Sequence, residues 1–145
     1  DPSYYINTNE TFTYYDSVSV GGTTYTNTVV GAYGTATPQS LDDTTNDDGT
    51  VTPGLKSNAI TTQNQQAYSL LEPSDWYVVR KSENGTAIPT NWDTWRESIR
   101  TTYQSQVTMI NACTTVPELQ ALYVYTGDPA TRPLPDFPPS PDQTS

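Results

Sequence analysis

Arg96 and Arg100 stand four residues apart in a stretch of helical periodicity, so both guanidinium groups fall on one helix face. Such a pair can bridge neighbouring Asp93 or Glu97 on the surface. It can also clamp the carboxylates of a partner's acidic segment through bidentate hydrogen bonds. Asp42, Asp43, Asp47 and Asp48 form a second charged cluster. Their spacing departs from an EF-hand loop, which places oxygen ligands at alternate positions, a glycine sixth and a glutamate last. The cluster reads as a solvated acidic linker first and as an irregular cation site second. Tyr4, Tyr5, Tyr14, Tyr15, Tyr25 and Tyr33 crowd the first part of the chain. These wide, rigid, amphipathic side chains either cover one face of a small sheet or form a contact surface for another chain or a sugar.

Little else could carry catalysis. The 145 residues include no histidine, so no Ser-His-Asp or Cys-His arrangement and no histidine metal site can form. Cys113 is the only cysteine, which excludes an internal disulfide and a thiolate cluster; it reads as a small apolar core residue on a helix. Gly21-Gly22 and the glycines of Gly31-Ala32-Tyr33-Gly34 lie between β-prone runs and do not open a helix, which argues against phosphate binding. The acids of the 42–48 segment lack aromatic neighbours, a poor setting for a sugar subsite. The expectation is a non-enzymatic protein with no cofactor. The net charge of −10 repels phosphate backbones and anionic membrane surfaces, and no run approaches the length of a membrane span, so neither nucleic acid nor membrane is an expected partner. Asn9-Glu10-Thr11 and Asn84-Gly85-Thr86 match the N-glycosylation pattern, which chance explains in a chain rich in Asn and Thr. The chain starts at Asp1 without Met, leaving open whether residues precede it.

The elements that must position these groups follow from periodicity. Hydrophobic content is 33%, below the roughly 45–50% of a typical globular domain, which predicts a small core with extended arms. Residues 1–37 read as β structure, with Gly21-Gly22 as a two-residue hairpin turn. Residues 38–56 form the acidic linker. Residues 57–126 read as a helical module. Its first helix spans 57–72 and ends at Pro73. Ser74 is the expected N-cap of a short helix over Asp75–Glu83, with a strand at Trp76–Val79 as the alternative. Thr90 is the expected cap of a longer helix. There Trp92, Trp95, Ile99, Tyr103, Gln106 and Ile110 recur at spacings of three and four, and Arg96, Glu97 and Arg100 lie off that seam. Thr115 and Glu118 form a capping box for a last helix carrying Leu119, Leu122 and Tyr123. The short Thr114-Thr115 link makes a helical hairpin of the last two helices the expected C-terminal core, and the core of the whole module is expected from Leu70, Leu71, Trp76, Trp92, Trp95, Ile99, Tyr103, Ile110, Leu119 and Leu122. Residues 127–145 hold six of the twelve prolines and read as an extended tail. That tail is either disordered or an arm anchored on a neighbouring subunit by Leu134 and Phe137, in which case its loss would impair assembly more than folding. The fold class is therefore α+β.

Three elements in order resemble a known family. Leu70-Leu71-x-x-Ser74-Asp75-Trp76, then Pro89, then Trp92-x-x-Trp95-Arg96-x-x-Ile99-Arg100 resemble the phage tail assembly chaperone-like domain, over roughly residues 57–124. The wording DWYVVRKSENGTAIP is similar to modules at the ends of structural proteins of cyanobacterial phages. The resemblance implies a bacteriophage protein located in the virion, as a tail, fibre, neck or capsid-decoration component. Its partners would be other phage structural proteins, in a homo-oligomer or symmetric array. A tail-fibre assembly chaperone and a carbohydrate-binding adhesion module are the alternatives. Two departures stand out: the helix continues where the family often ends in a Trp-Pro element, and a Thr/Tyr-rich β region precedes the module. Adhesive arms suit a particle subunit better than a chaperone that must release its client.

Overall fold

The computed structural model describes residues 3–8 and 10–143, with the side chain of Gln143 left aside. The Asn9 glycosylation pattern therefore falls partly outside the described residues. The chain is α+β and divides into two units, Asp1–Gln39 and Ser40–Ser145.

The first unit is a β ribbon. Strand β1 (Tyr5–Thr8) pairs antiparallel with β4 (Thr35–Pro38), and β2 (Thr11–Val20) pairs antiparallel with β3 (Thr23–Ala32). Gly21 and Gly22 make the tight turn, both in the left-handed region at φ 59° and 80°, which a side chain would disfavour. Asn27 lies opposite Asp16 at φ 50°, a conformation that asparagine tolerates better than most residues. The Tyr14 hydroxyl donates to Asn27 Oδ1 at 2.9 Å and holds that position across the strands.

The second unit opens with the acidic segment. It forms a minimal pair, β5 (Thr44–Thr45) with β6 (Val51–Thr52), and then folds over the start of helix α1 (Leu55–Leu71). No side chain at position 54 caps that helix. Its first amides instead reach back: Leu55 N donates to Ser40 O and Lys56 N to Leu41 O, both at 3.0 Å. Gly54 N donates to Asp43 Oδ1 at 2.8 Å. Gly54 is required sterically, because a Cβ there would collide with the backbone of Asp42 and lie 2.7 Å from Leu41 O.

A single 3-10 turn over Glu72–Ser74 links α1 to α2 (Asp75–Asn84). The β-prone Trp76–Val79 run is thus helical, and Gly85 ends it at φ 74° with its N–H on Lys81 O. Helix α3 (Thr90–Ala112) starts one residue earlier in role than the sequence suggests. Pro89 is its N-cap, and the Pro89 carbonyl accepts from Asp93 N at 2.9 Å. Thr90 is its first helical residue and makes no cap bond. Helix α4 (Val116–Ala121) carries the expected capping box: Glu118 N donates to Thr115 Oγ1, and Glu118 Oε2 accepts from Thr115 N.

The main helix pair is α1 against α3. Ala67, Trp95 and Ile99 form a buried cluster, with Leu70, Leu71, Trp92, Tyr103 and Phe137 packed against it. Ile110, Cys113, Val116 and Leu119 are also buried, and Leu122 is half-buried. Trp76 is a correction to the expected core, because the structure leaves it 51% exposed. It sits on the outer side of α2, a helix that buries none of its residues.

After a turn closed between Thr126 and Thr131, the C-terminal tail runs without helix or strand to Ser140, as its prolines require, and lies on helices of its own chain. Leu134 is fully buried, and its N–H donates to Leu122 O at 3.0 Å. Trp95 Nε1 donates to Pro138 O at 3.1 Å, and Gln106 Nε2 donates to Pro135 O at 2.8 Å. Proline-rich chain offers carbonyls without N–H competitors, so it suits capture by side-chain donors from a helix. The expectation that Leu134 anchors the tail on another subunit is therefore corrected, since it is buried within the chain; Phe137 packs on the Ala67–Trp95–Ile99 cluster and stays half-buried.

Candidate interaction surfaces

The ribbon is two-faced. Pairing places Phe12 opposite Gly31, Tyr14 opposite Val29, Val18 opposite Tyr25 and Val20 opposite Thr23. Side chains alternate along a strand, so these residues share one face with Asp16. The other face pairs Thr13 with Val30, Tyr15 with Thr28, Ser17 with Thr26 and Ser19 with Thr24, and is largely hydroxyl-bearing. Ser19 and Thr24 hydrogen-bond across it at 2.9 Å. The Phe12 ring lies over Gly31, where an added Cβ would stand 3.1 Å from the ring, so the glycine makes room for the aromatic.

No described residue of this unit is buried. Phe12 is 72% and Tyr33 85% exposed, and Ile6, Tyr14, Val20, Tyr25 and Val29 are at least half exposed. The six tyrosines do not cover one face. Tyr14 and Tyr25 lie on the apolar face and Tyr15 on the hydroxyl face, while Tyr4 and Tyr5 are half-buried near the β1–β4 pair.

The two arginines separate in role. Arg100 is exposed and meets Glu97 at 3.8 Å, an ordinary surface pair. Arg96 is buried, which corrects both its expected position off the seam and its place among partner contacts. Its guanidinium donates to Leu71 O at 3.0 Å, to Ser74 Oγ at 2.5 Å and to Asp75 Oδ1 at 2.7 Å. Ser74, the expected N-cap of α2, uses its hydroxyl differently: it donates to Leu71 O at 2.8 Å while receiving Arg96. The Leu-Leu-x-x-Ser-Asp and Trp-Arg elements are thus the two halves of one hydrogen-bonded staple. It joins α3 to the corner between α1 and α2.

The acidic segment is structural. Asp42 pairs with Lys56 at 3.0 Å. The Asp43 carboxylate accepts hydrogen bonds from the Ser57 hydroxyl and the Gly54 amide, which hold its pKa below the ordinary value. Asp48 closes a turn by accepting from the Thr50 hydroxyl and amide, and its pKa is lowered for that reason. Among the described residues no three Cys, Asp or Glu side chains converge as a metal site. Cys113 is buried, and desolvation raises its thiol pKa, which disfavours a reactive thiolate.

Sequence reasoning missed one cluster. Arg132 stands over the rings of Tyr123 and Tyr125, with its guanidinium carbon 5.8 and 5.4 Å from the ring centres, and it pairs with Asp136 at 2.5 Å. An arginine among prolines, four residues before an aspartate, was the available signal. Among the described residues no helix is long and apolar enough to cross a membrane. No protein-family model, curated protein or solved structure matches this chain.

Proposed function

We propose that this chain is a non-enzymatic structural protein of a tailed phage particle and acts through subunit–subunit contacts made by its β ribbon. The observation that carries the reading is a ribbon with ten-residue strands and no buried residue, its apolar face exposed. An isolated two-stranded ribbon is marginal in water, because the entropy of ordering it exceeds what its own cross-strand pairs return. Burial on another chain supplies the missing term at ~25 cal/mol per Å² of apolar surface. The helical unit, in contrast, buries its own core and its own tail.

The phage assignment rests on the resemblance of the Leu70–Arg100 block. Within that resemblance, a permanent subunit fits an adhesive ribbon better than a chaperone does. Mass spectrometry of purified particles tests the reading: the chain is expected in intact virions, and its absence from them refutes a structural role. Binding of the chain to a glycan array, abolished by Tyr33→Ala, would instead support an adhesion module.

A further inference from the structure

The C-terminal tail is held by its helices as a separate peptide would be. Leu134 is fully buried, and Phe137, three residues on, packs on the Ala67–Trp95–Ile99 cluster. The carbonyls of Pro135 and Pro138, again three residues apart, accept from the Gln106 amide and the Trp95 indole. Three residues make one turn of a polyproline helix, so each of these pairs can face one side of the segment. The donors match that repeat. Trp95 and Gln106 stand eleven residues apart on α3, about three turns, and share one face of it. Docking of a proline-rich segment in an aromatic-lined groove is a general mode of peptide recognition. None of these contacts depends on the covalent link between the tail and α4.

The link itself is slight. Residues 122–131 contain no helix or strand and close on one bridge, where Thr126 and Thr131 exchange backbone hydrogen bonds at 2.8 and 2.9 Å. Tyr123 and Tyr125 precede the turn, and Arg132, which stands over both rings, follows it. We propose that the tail of one copy fills this groove in a second copy, with the turn over residues 127–130 opening to let it cross. The occupant is identified by what the groove already holds, and every copy carries that sequence. The exchanged form keeps the contacts of the closed chain, so exchange costs only the turn and the tether's effective concentration, on the order of millimolar for a short linker. Reciprocal exchange closes a two-fold dimer. The closed chain therefore prevails in dilute solution, and exchange competes where copies are crowded. This contact goes beyond the ribbon contact and does not depend on it.

Size-exclusion chromatography of the full chain tests this. A sample held at about millimolar concentration and run at once on dilution should contain a dimer that is at least about tenfold scarcer in a sample held at about 10 µM. A chain lacking residues 127–130 has no turn to bring its tail back. It should dimerise at a concentration about a hundredfold lower or more, with helical circular dichroism and melting kept. A synthetic peptide spanning residues 131–140 should then compete for the groove and convert that dimer to monomer, and the same peptide with Leu134→Ala should not. A dimer held by the ribbon would ignore both peptides. The inference is overturned if the intact chain stays monomeric at millimolar concentration, if the shortened chain is monomeric or unfolded, or if the peptide leaves its dimer unchanged.

Discussion

Replacing Arg96 tests whether the Leu-Leu-x-x-Ser-Asp/Trp-Arg block is a folding staple. Arg96→Ala removes three charge-assisted hydrogen bonds and leaves the oxygen of the fully buried Ser74 hydroxyl without a donor, while Leu71 O keeps the bond from that hydroxyl. A buried acceptor left without its partner costs ~1–3 kcal/mol. The Asp75 side chain is 49% exposed, so water replaces most of what its ion pair supplies. The one acceptor stripped of its donor, Ser74 Oγ, together with the weakened Leu71 carbonyl and the lost packing of the arginine stem, places the cost of Arg96→Ala at about 2–3 kcal/mol. Arg96→Lys keeps the charge but not the fork that meets three acceptors, and should cost about 1–2 kcal/mol. Asp75→Asn should cost less than ~1 kcal/mol. All three tryptophans lie in the helical unit, so urea denaturation followed by tryptophan fluorescence reports on that unit alone. The reasoning fails if Arg96→Ala costs under ~1 kcal/mol at unchanged m, or if Asp75→Asn costs as much as Arg96→Ala.

Three further outcomes follow from the same geometry. Leu134→Ala should destabilise the helical unit by about 3 kcal/mol, and deleting residues 133–145 should lower its melting temperature further, since Trp95 and Gln106 then lose their carbonyl partners; an unchanged melt would show that the tail is dispensable for folding. Gly54→Ala should cost about 1–3 kcal/mol through collision with the Leu41–Asp42 backbone, read by the same urea titration, and a neutral result would mean that this segment can move aside. Asp43, Asp48 and Glu118 have folded-state pKa values below their ordinary 3.8, 3.8 and 4.5, so their stabilisation is complete above those values and is lost as pH falls below them. Melting temperature should therefore fall between about pH 5 and about pH 2, and Glu118→Gln should flatten part of that slope; a melt that holds or rises in acid would contradict the capping roles.

Local signals were legible where one residue type meets one backbone demand. Gly21-Gly22 turned the ribbon, Asn84-Gly85 stopped α2, and Thr115 with Glu118 closed a capping box. The seam of α3 was legible too, because burial repeats with the helix period. What failed was any inference about which chain covers an apolar or polar group. Gln106 is the one polar member of that seam, and its position inside the stripe is what lets its amide catch the Pro135 carbonyl. Leu134 and Phe137 looked like anchors for a neighbour, because a proline-rich segment carries no periodicity that would point it back at its own helices. Arg96 looked exposed because charge normally implies water; only the meeting of Leu71 O, Ser74 and Asp75 at one corner makes its burial affordable. Trp76 failed in the other direction, since its size argues for the core while its place in α2 turns it outward over Tyr77 and Arg80. Periodicity reports that a face needs covering and is silent on what covers it. The α1–α3 seam and the ribbon stripe therefore look alike in sequence, although the first is filled by this chain's own helices and tail and the second is left bare within its unit.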